Sequence, residues 1–337
     1  MNRHIRLALA GAARAAALAA TLTAALTATL PAHAQDYPTR AVTWIVPFAA
    51  GGPTDALART IAERVSRELG QSIIIENAAG AGGTVGTTKA SRATPDGYTM
   101  LVGHMGYMGA APALYKKLSY DPVKDFAPVF RFPDTPMVLM VRADHPVKNV
   151  RELVEYGRAN PDKLFIANAG VGSTSHLIGA LFAASAGMKV TLVPYKGAGP
   201  ALIDVIGGRA DGMFDQTNTA LPQITQAKVH ALAITSAKRV DQLKDVPTLA
   251  ETVLPGFEAA TWYGIYAPKG TPQAALDRMQ QAYLAAMKDQ AFTSKLTEQA
   301  IQLLPAEEYT GQALGRHTES EVARWKEVAA KANISLD

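Results

Sequence analysis

One stretch near the start of the chain, Trp44 to Gly70, constrains the fold more than any other. It begins with a short apolar run rich in β-branched and aromatic residues, passes through the small-residue loop Pro47 to Thr54, and continues as a helical pattern. The apolar stripe of that helix consists of Leu57, Ile61, Val65 and Leu69. A strand, a glycine-containing loop and a helix in this order aim unpaired backbone N–H groups past the carboxyl end of the strand. Together with the positive end of the helix dipole, these donors form an anion site without any basic side chain.

A second stretch repeats this arrangement. Leu164 to Asn168 predicts a strand, Ala169 to His176 predicts a small-residue loop, and the following residues predict a helix with one apolar face. The loop places three hydroxyls, those of Ser173, Thr174 and Ser175, in the first helical turn. They can cap the helix or hydrogen-bond a ligand oxygen, and we expect at least one of them to cap. The repeat favours an anion site over the alternative, in which each loop is an ordinary turn whose glycines only supply the bend.

The first 34 residues are predicted to be a secretory signal peptide. Arg3 and Arg6 precede a run from Ala15 to Leu30 that contains only Ala, Leu and Thr, and Ala32-His33-Ala34 supplies an A-x-A cleavage site. The run is short for a membrane span. Cleavage after Ala34 would remove three arginines and no acids, which lowers the net charge of +4 by three. We therefore expect a soluble exported protein.

Composition excludes several functional classes. The chain has no cysteine, which excludes disulfides, thiolate metal sites and a cysteine nucleophile. Its seven histidines are scattered without an H-x-x-x-H pair, so no metal is expected. The loop from Asn77 to Gly86 is rich in glycine, but Val85 stands where a dinucleotide fingerprint needs its third glycine, so no cofactor is expected. The small net charge after cleavage gives no reason to expect a nucleic-acid partner.

Two further loops are predicted to reach the same region. A strand from Thr99 to Gly103 delivers the loop His104 to Met108 to the edge that carries the first anion loop. A short strand from Asp211 to Gln216 presents Asp215 near its carboxyl end. His104 and Asp215 are therefore candidate ligand-binding residues, although a hydrogen-bonded loop histidine is the alternative for His104.

The order of these elements predicts an α/β protein with two doubly wound domains around a central cleft. Two strands, Met137 to Val141 and Trp262 to Pro268, are interpreted as the crossings between the domains. We expect the signal peptide at residues 1–34, a discontinuous first domain at 35–137 and 259–337, and a second domain at 138–258. Such a cleft is expected to close on its ligand.

Five short motifs follow one another along the chain. They are Pro47-Phe48-x-x-Gly51-Gly52-x-x-Asp55-x-x-Ala58-Arg59, Pro95-Asp96-Gly97-Tyr98-Thr99, Pro194-Tyr195-Lys196-Gly197, Gly256-Phe257-Glu258 with Trp262-Tyr263-Gly264, and Ala267-Pro268-x-Gly270-Thr271-Pro272. With these motifs the chain resembles the Bug family, the extracytoplasmic solute receptors of tripartite tricarboxylate transporters. The resemblance covers essentially the whole chain after the signal peptide. One departure is Ala78-Ala79, where the family often has Arg-Pro.

The resemblance implies a type II periplasmic binding protein that closes on a small carboxylated solute. In the family a carboxylate is held by the first strand–helix loop and by the helix start of the second domain, which correspond to Phe48 to Thr54 and Gly170 to His176 in this chain. The resemblance also implies a partner, an integral membrane permease with a large and a small subunit. We expect the receptor itself to be a monomer.

Thirteen residues are the candidate ligand-binding residues, and no catalytic residue is expected. They are Phe48, Ala49, Gly51, Gly52, Thr54, His104, Gly170, Gly172, Ser173, Thr174, Ser175, His176 and Asp215. The solute is expected to be a di- or tricarboxylate, an acidic amino acid or an aromatic acid, and the sequence leaves this choice open. The competing hypothesis is an exported hydrolase that uses Ser173 and His176. It is disfavoured because the G-x-S-x-G nucleophile elbow is missing.

Overall fold

Two mixed β-sheets flanked by helices form the framework of the protein in a computed structural model, which describes residues 37–332 without the side chains of residues 328, 331 and 332. The predicted signal peptide lies outside the described residues. The strands in chain order are β1 (Val42–Val46), β2 (Ile73–Asn77), β3 (Thr99–His104), β4 (Phe126–Arg131), β5 (Thr135–Arg142), β6 (Phe165–Asn168), β7 (Thr191–Pro194), β8 (Gly212–Gln216), β9 (Val229–Ile234), β10 (Ala260–Thr261) and β11 (Tyr263–Pro268).

The helices cover the faces of the two sheets. In chain order they are α1 (Pro53–Leu69), α2 (Thr84–Ser91), α3 (Ala111–Leu114), α4 (Val150–Ala159), α5 (Thr174–Ser185), α6 (Ala198–Ile206), α7 (Thr217–Thr225), α8 (Leu249–Thr252), α9 (Gln273–Met287), α10 (Gln290–Glu298) and α11 (Gly311–Ala332). A π-helical turn at Met105–Ala110 and 3₁₀ turns at Ala81–Gly83, Asp241–Leu243 and Ala306–Tyr309 complete the elements. Within residues 37–332, no helix is both long enough and apolar enough to cross a bilayer.

The first sheet has the strand order β2-β1-β3-β11-β4. Because β1 runs parallel to both β2 and β3, the loops after Val46 and His104 leave the sheet at the same edge. β11 is antiparallel to its neighbours β3 and β4. Aromatic side chains fill the core of this sheet, and the rings of Phe130 and Tyr283 stack with centroids 4.0 Å apart.

The second sheet has the strand order β10-β5-β8-β6-β7, and β9 also pairs with β5. β6 is parallel to β7 and β8, whereas β5 is antiparallel to β8. This register places Met137 opposite Gln216, and it brings the carboxyl ends of β6 and β8 to one edge. The core of this sheet contains buried apolar side chains such as Leu139, Phe182 and Phe214.

The fold class predicted from the sequence is confirmed: the chain has the α/β type II binding-protein fold, with a sheet in each of its two halves. The first strand–loop–helix unit also forms as predicted. Pro53 occupies the start of α1, and the helix ends at Gly70, whose left-handed backbone (φ 77°) lets its N–H bond to the carbonyl of Ser66. The predicted apolar stripe of α1, from Leu57 to Leu69, is buried.

Two local features differ from what the sequence predicts. Strand β4 was not predicted because it contains Pro128, which a sheet tolerates here because β4 is an edge strand. The segment after His104 is a buried π-helical turn and not an open loop. The predicted return strand from Trp262 to Pro268 forms as β11, which begins one residue later, and the two-residue strand β10 precedes it.

The passages between the sheets are shorter than the predicted crossing strands. β4 belongs to the first sheet and β5 to the second, so the chain passes between them at residues 132–134. On the return, β10 pairs with β5 while β11 lies in the first sheet, so the chain changes sheets at Trp262. The domain boundaries expected from the sequence remain a prediction.

Candidate functional site

A small internal cavity lies where the carboxyl edges of the two sheets meet, with a volume of about 20 Å³. That is close to the space that one water molecule requires. The first sheet and its helices contribute Phe48, Gly52, Pro53, Thr54 and His104, and the second sheet and its helices contribute Met137, Ala169, Ser173, Thr174, Ser175, Ala198, Phe214, Asp215 and Gln216. We call this space the inner cavity.

Four helices begin at the wall of the inner cavity. Gly52, Ser173 and Gln216 occupy the N-cap positions of α1, α5 and α7, and Ala198 is the first residue of α6. Each helix start carries backbone N–H groups without intrahelical partners and the positive end of the helix dipole. None of the lining residues is Lys or Arg. The wall therefore favours an anion through dipoles and hydrogen-bond donors alone.

The first loop is held in place by Asp55, which lies one turn into α1. Its carboxylate accepts hydrogen bonds from the backbone N–H of Gly51 at 3.0 Å, from the Arg59 side chain at 3.0 Å and from the Asn77 amide at 2.9 Å. The same Asn77 amide also donates to the carbonyl of Phe48 at 3.0 Å. Burial opposes the charge of Asp55, but these hydrogen bonds lower its pKa. Asp55 thus fixes the loop in the shape that presents Gly52 to the cavity.

The second loop is organised by its serine hydroxyls. Ser173 caps α5, because its Oγ accepts the backbone N–H of His176 at 3.3 Å. Ser175 Oγ accepts the backbone N–H of Ala169 at 2.9 Å, and the two serine oxygens lie 3.2 Å apart. The prediction that at least one hydroxyl caps the helix is therefore confirmed. Since the pair shares one proton in its mutual bond, the second hydroxyl proton is available to another acceptor.

His104 and Thr174 connect the two sheets. His104 is 2% exposed, and burial lowers its pKa to about 3, so the imidazole is neutral. Its Nδ1 accepts the backbone N–H of Gly106 at 3.0 Å, which leaves the proton on Nε2. Nε2 lies 3.0 Å from Thr174 Oγ1 and donates to it. The hydroxyl proton of Thr174 is then available to an acceptor in the cavity.

On the opposite wall, the hydroxyl of Tyr263 determines how Thr54 and Gln216 are hydrogen-bonded. Its hydroxyl donates to Gln216 Oε1 at 2.5 Å and lies 3.2 Å from Thr54 Oγ1. Because the Tyr263 proton is engaged by Gln216, Thr54 donates its own proton to the tyrosine oxygen and offers the cavity only lone pairs. The Gln216 oxygen is likewise engaged, which leaves its amide NH₂ to donate. A further bond between the halves joins Asn218 Nδ2 to the carbonyl of Pro53 at 3.0 Å.

Asp215 is the one acidic side chain in the cavity wall. It is 1% exposed, and its Oδ2 accepts the hydroxyl of Thr219 at 2.8 Å. Within the described part of the chain its buried Oδ1 has no hydrogen-bond partner. Burial raises the pKa of Asp215 to about 7, against the lowering effect of the hydrogen bond from Thr219.

The structure brings eight of the thirteen candidate residues together at the inner cavity. They are Phe48, Gly52, Thr54, His104, Ser173, Thr174, Ser175 and Asp215. The other five do not line it: Ala49, Gly51, Gly170, Gly172 and His176. Gly51 is exposed with its N–H bonded to Asp55, and Ala49 donates its N–H to the carbonyl of Lys196 at 3.1 Å. That any of the thirteen residues binds a solute remains a prediction.

A larger space of about 540 Å³ adjoins the inner cavity, and we call it the outer pocket. Phe48 and Ala169 belong to the walls of both. Gly170 lines only the outer pocket, together with the stretches Gly80–Gly82 and Pro194–Lys196. The glycines allow close approach here: a Cβ on Gly82 would lie 2.0 Å from the carbonyl oxygen of Val171.

Comparison with known proteins adds the family to this geometry. The model of the tripartite tricarboxylate transporter receptor family matches residues 57–334. The chain belongs to this receptor family. This match confirms the resemblance to the Bug receptors. Solved structures of related receptors have the same fold as this chain.

Three solved structures illustrate that similarity. The periplasmic binding protein BugD is 42% identical to this chain, with a TM-score of 0.86. The alignment covers 89% of this chain and 99% of the BugD chain. MatC from Rhodopseudomonas palustris, solved with bound malate, is 39% identical with a TM-score of 0.83, covering 87% and 99%. Another R. palustris protein, solved with adipate, is 37% identical with a TM-score of 0.84, covering 89% and 99%.

The family consists of solute-binding receptors, and the geometry of this receptor gives the hydrolase hypothesis no support. A serine nucleophile needs its hydroxyl within hydrogen-bond reach of a base. Ser173 Oγ is instead bonded to the backbone N–H of His176 and to Ser175. The His176 ring accepts the backbone N–H of Gly172 at 3.4 Å through Nδ1.

Sequence reasoning missed several residues of the receptor's cavity and its support. Met137, Ala198, Phe214 and Gln216 line the cavity, and Asn77, Asn218 and Tyr263 position the lining residues. Two signals could have found some of them. Gln216 directly follows Asp215 at the end of a predicted strand, and Tyr263 lies in the Trp262-Tyr263-Gly264 motif. Met137 and Phe214 carry no such signal, because apolar residues in strands usually indicate core.

Proposed function

We propose that this receptor captures a small organic carboxylate in the periplasm and delivers it to the membrane permease of a tripartite tricarboxylate transporter. The observation that carries the proposal is the convergence of four helix starts and several hydroxyls on a cavity whose lining contains no Lys or Arg. Such a wall can hold a carboxylate through N–H and O–H donors. Malate and adipate in the related structures are solutes of this chemistry.

The donors are sufficient for useful affinity. A hydrogen bond to a charged group contributes about 1.5–3 kcal/mol. About five such bonds must offset an association cost of at least about 4 kcal/mol. A micromolar dissociation constant corresponds to about −8 kcal/mol, which lies within this range. No salt bridge from the protein is needed.

The predicted domains give this function a mechanism. If one domain comprises residues 35–137 and 259–337 and the other residues 138–258, residues of both domains line the inner cavity. Closure of the two domains then encloses a solute and brings it into contact with the hydrogen-bond donors of both. The inner cavity has room for about one water molecule, whereas a di- or tricarboxylate is much larger. Solute entry therefore requires the halves to separate and to close again less tightly around the solute. The closed form offers the permease a shape that the open form lacks.

A thermal-shift screen tests the proposal directly. The panel contains malate, adipate, citrate, aspartate, glutamate and benzoate, with glucose and lysine as solutes of the wrong chemistry. A cognate acid is expected to raise the melting temperature by mass action, and calorimetry then measures its affinity. A lack of response to every acid, at concentrations up to millimolar, would refute capture of a small carboxylate.

Delivery and location need separate tests in cells. Deleting the cognate permease genes should abolish uptake of the acid that the receptor binds, and re-expression should restore it. Uptake that continues without the permease would refute the delivery proposal. Mass spectrometry of the periplasmic fraction should find a chain that begins at Gln35, and an uncleaved chain in the cytosol would refute export.

A further inference from the structure

The carboxylate of Asp215 is an unexpected group in a cavity for anions. It lies in the wall of the inner cavity, almost fully buried, with Oδ2 bonded to Thr219. Its Oδ1 is buried and, among the described residues, receives no hydrogen bond. A buried polar oxygen without a donor is costly, so it indicates that another group completes the site.

The size and charge of the cavity restrict what that group can be. The inner cavity holds only about 20 Å³, so a solute carboxylate lodged in it has Asp215 as a close neighbour even after some expansion. The lining residues include no Lys or Arg that could stand between the two carboxylates. Two carboxylates that share a dry site cannot both be ionised, and they bind one proton between them.

We propose that Asp215 is a specificity residue that holds the solute's carboxylate through a shared proton, so that capture takes up one proton from solvent. The proton adds to Oδ1, and the new O–H donates to a carboxylate oxygen of the solute. In the empty cavity burial raises the pKa of Asp215 to about 7, so this carboxylate is mostly ionised at pH 7.5 and above. The bound solute occupies the donors of the four helix starts, and Asp215 becomes neutral. The inference rests on the proposed function, since it requires a carboxylate in the cavity.

The inference distinguishes carboxylic acids without an ammonium group beside the bound carboxylate from amino acids. An ammonium group would pair with ionised Asp215 and would need no proton. Proton uptake is therefore expected with malate and adipate, and not with aspartate and glutamate.

The other titratable groups near Asp215 do not change their protonation state between pH 7.5 and 9. His104 faces it from β3 and is neutral because burial lowers its pKa to about 3. Tyr263 faces it from β11, and burial raises the pKa of its hydroxyl, so it stays neutral. His176 on α5 has a pKa lowered by burial. Asp55 in the first turn of α1 has a lowered pKa and is ionised throughout.

The remaining elements packed against β8 contribute no competing group. β6 and α7 contain no titratable side chain. The titratable side chain of β5 is Arg142, which lies at the opposite end of the strand from Met137 and forms ion pairs with Asp144 and Asp211. The acid of α6, Asp204, is bonded to Tyr195 and Arg209. A pH effect on capture over this range therefore reports Asp215.

Calorimetric titration of the unmodified receptor provides the primary test. Malate and adipate are titrated at pH 7.5 in buffers of different ionisation enthalpy, which reports the number of protons taken up. Uptake approaching one proton per solute is expected, and the affinity should fall about tenfold per pH unit from pH 7.5 to 9. Both acids are fully ionised over this range. Affinity that does not change with pH, together with no proton uptake, would overturn the inference.

Asp215→Asn provides the matched variant, because its amide offers a permanent N–H donor at the same place. It is expected to bind malate at pH 9 at least tenfold more tightly than the unmodified receptor, with no proton uptake. Asp245→Asn removes an exposed carboxylate elsewhere and should keep the pH dependence. A folded Asp215→Asn protein that keeps the pH dependence, or that no longer binds malate, would overturn the inference.

The outcomes separate this inference from the proposed function. Binding of malate or adipate with a flat pH profile refutes the shared proton and leaves carboxylate capture intact. Tighter binding of aspartate than of malate, without proton uptake, also refutes the shared proton, because it places an ammonium group against Asp215. Failure of every acid to bind at any pH from 5.5 to 9 refutes capture itself. If Asp215→Asn does not fold, the calorimetry of the unmodified receptor decides the matter alone.

Discussion

Thr174 has two roles at the scale of single residues. Its oxygen accepts the proton of His104 Nε2 from the other sheet, and its own proton is thereby directed to another acceptor. His104 in turn is fixed in one tautomer by the backbone of Gly106. His104, which the sequence marks as a candidate ligand-binding residue, also positions the Thr174 hydroxyl through this bond, and its contact with a solute remains a prediction.

Thr174→Val is expected to weaken solute binding by about tenfold to a hundredfold, because it removes one hydrogen bond to a charged group, worth about 1.5–3 kcal/mol. It should also lower stability, since it leaves the buried N–H of His104 without an acceptor. Thr174→Ser keeps the hydroxyl and serves as the control. Calorimetric titration and a melting curve on each variant measure both effects, and an unchanged affinity for Thr174→Val would show that the hydroxyl does not contact the solute.

Ser173 combines a structural role with its proposed binding role. Because its Oγ caps α5, Ser173→Ala should lower the free energy of unfolding by about 1 kcal/mol. If the hydroxyl also donates to the solute, the affinity should fall by about tenfold to a hundredfold. Ser173→Thr retains both functions as a control. A loss of stability with unchanged affinity would assign Ser173 to capping alone.

The elements that approach each other across the cavity do so through glycines. A Cβ on Gly199, in the first turn of α6, would lie 3.2 Å from the carbonyl carbon of Gly51, and a Cβ on Gly52 would lie 3.3 Å from the backbone nitrogen of Gly199. These distances are tighter than ordinary Cβ contacts, so a side chain at either position would require α6 and the first loop to move apart by a few tenths of an ångström. The two glycines therefore determine how closely the halves approach, which the sequence motif alone did not indicate.

Gly199→Val is expected to hold the halves apart and to weaken binding at least tenfold while leaving the melting temperature of the empty protein nearly unchanged. The reason is that the three atoms nearest to an added Cβ belong to Gly51 and Gly52 of the opposite loop, and Gly199 does not need a left-handed backbone. Ile203→Val, exposed on the same helix, is the control. Binding curves and melting curves test this, and full affinity in Gly199→Val would show that α6 does not limit closure.

For the whole molecule, the small inner cavity and the bonds between the halves describe a closed form. Asn218 bonds to Pro53, His104 to Thr174 and Ala49 to Lys196. Among the described residues, the chain passes between the sheets only at residues 132–134 and at Trp262. The two halves are thus joined covalently at two short passages and otherwise by hydrogen bonds that can open, which favours a hinge at the two passages.

Small-angle scattering with and without a binding acid should show a smaller radius of gyration in the presence of the acid. Hydrogen exchange should show protection at the loops Phe48 to Pro53 and Ala169 to Ser173, because these loops lie between the halves. A non-binding acid from the screen serves as the control. Equal radii and equal exchange rates would contradict a closing cleft.

The sequence by itself determined the fold class, the family and the two loops that carry the site. Periodicity predicted α1 with its buried stripe from Leu57 to Leu69, and the small-residue loops predicted where helix starts meet a sheet edge. The helix stripe and the small-residue loops are local, because each depends on residues within about twenty positions of one another. The family instead follows from motifs that are spread along the chain.

Only the tertiary structure decided which residues share the cavity. The proximity of Thr174 and His104, of Gln216 and Tyr263, and of Gly52 and Gly199 depends on how two sheets meet, and no periodicity encodes such distant pairs. The same packing buries Asp215, whose Oδ2 accepts the Thr219 hydroxyl, and within residues 37–332 its Oδ1 receives no hydrogen bond. A buried charge acquires its chemistry from everything around it, and those surroundings come from segments far apart in the chain.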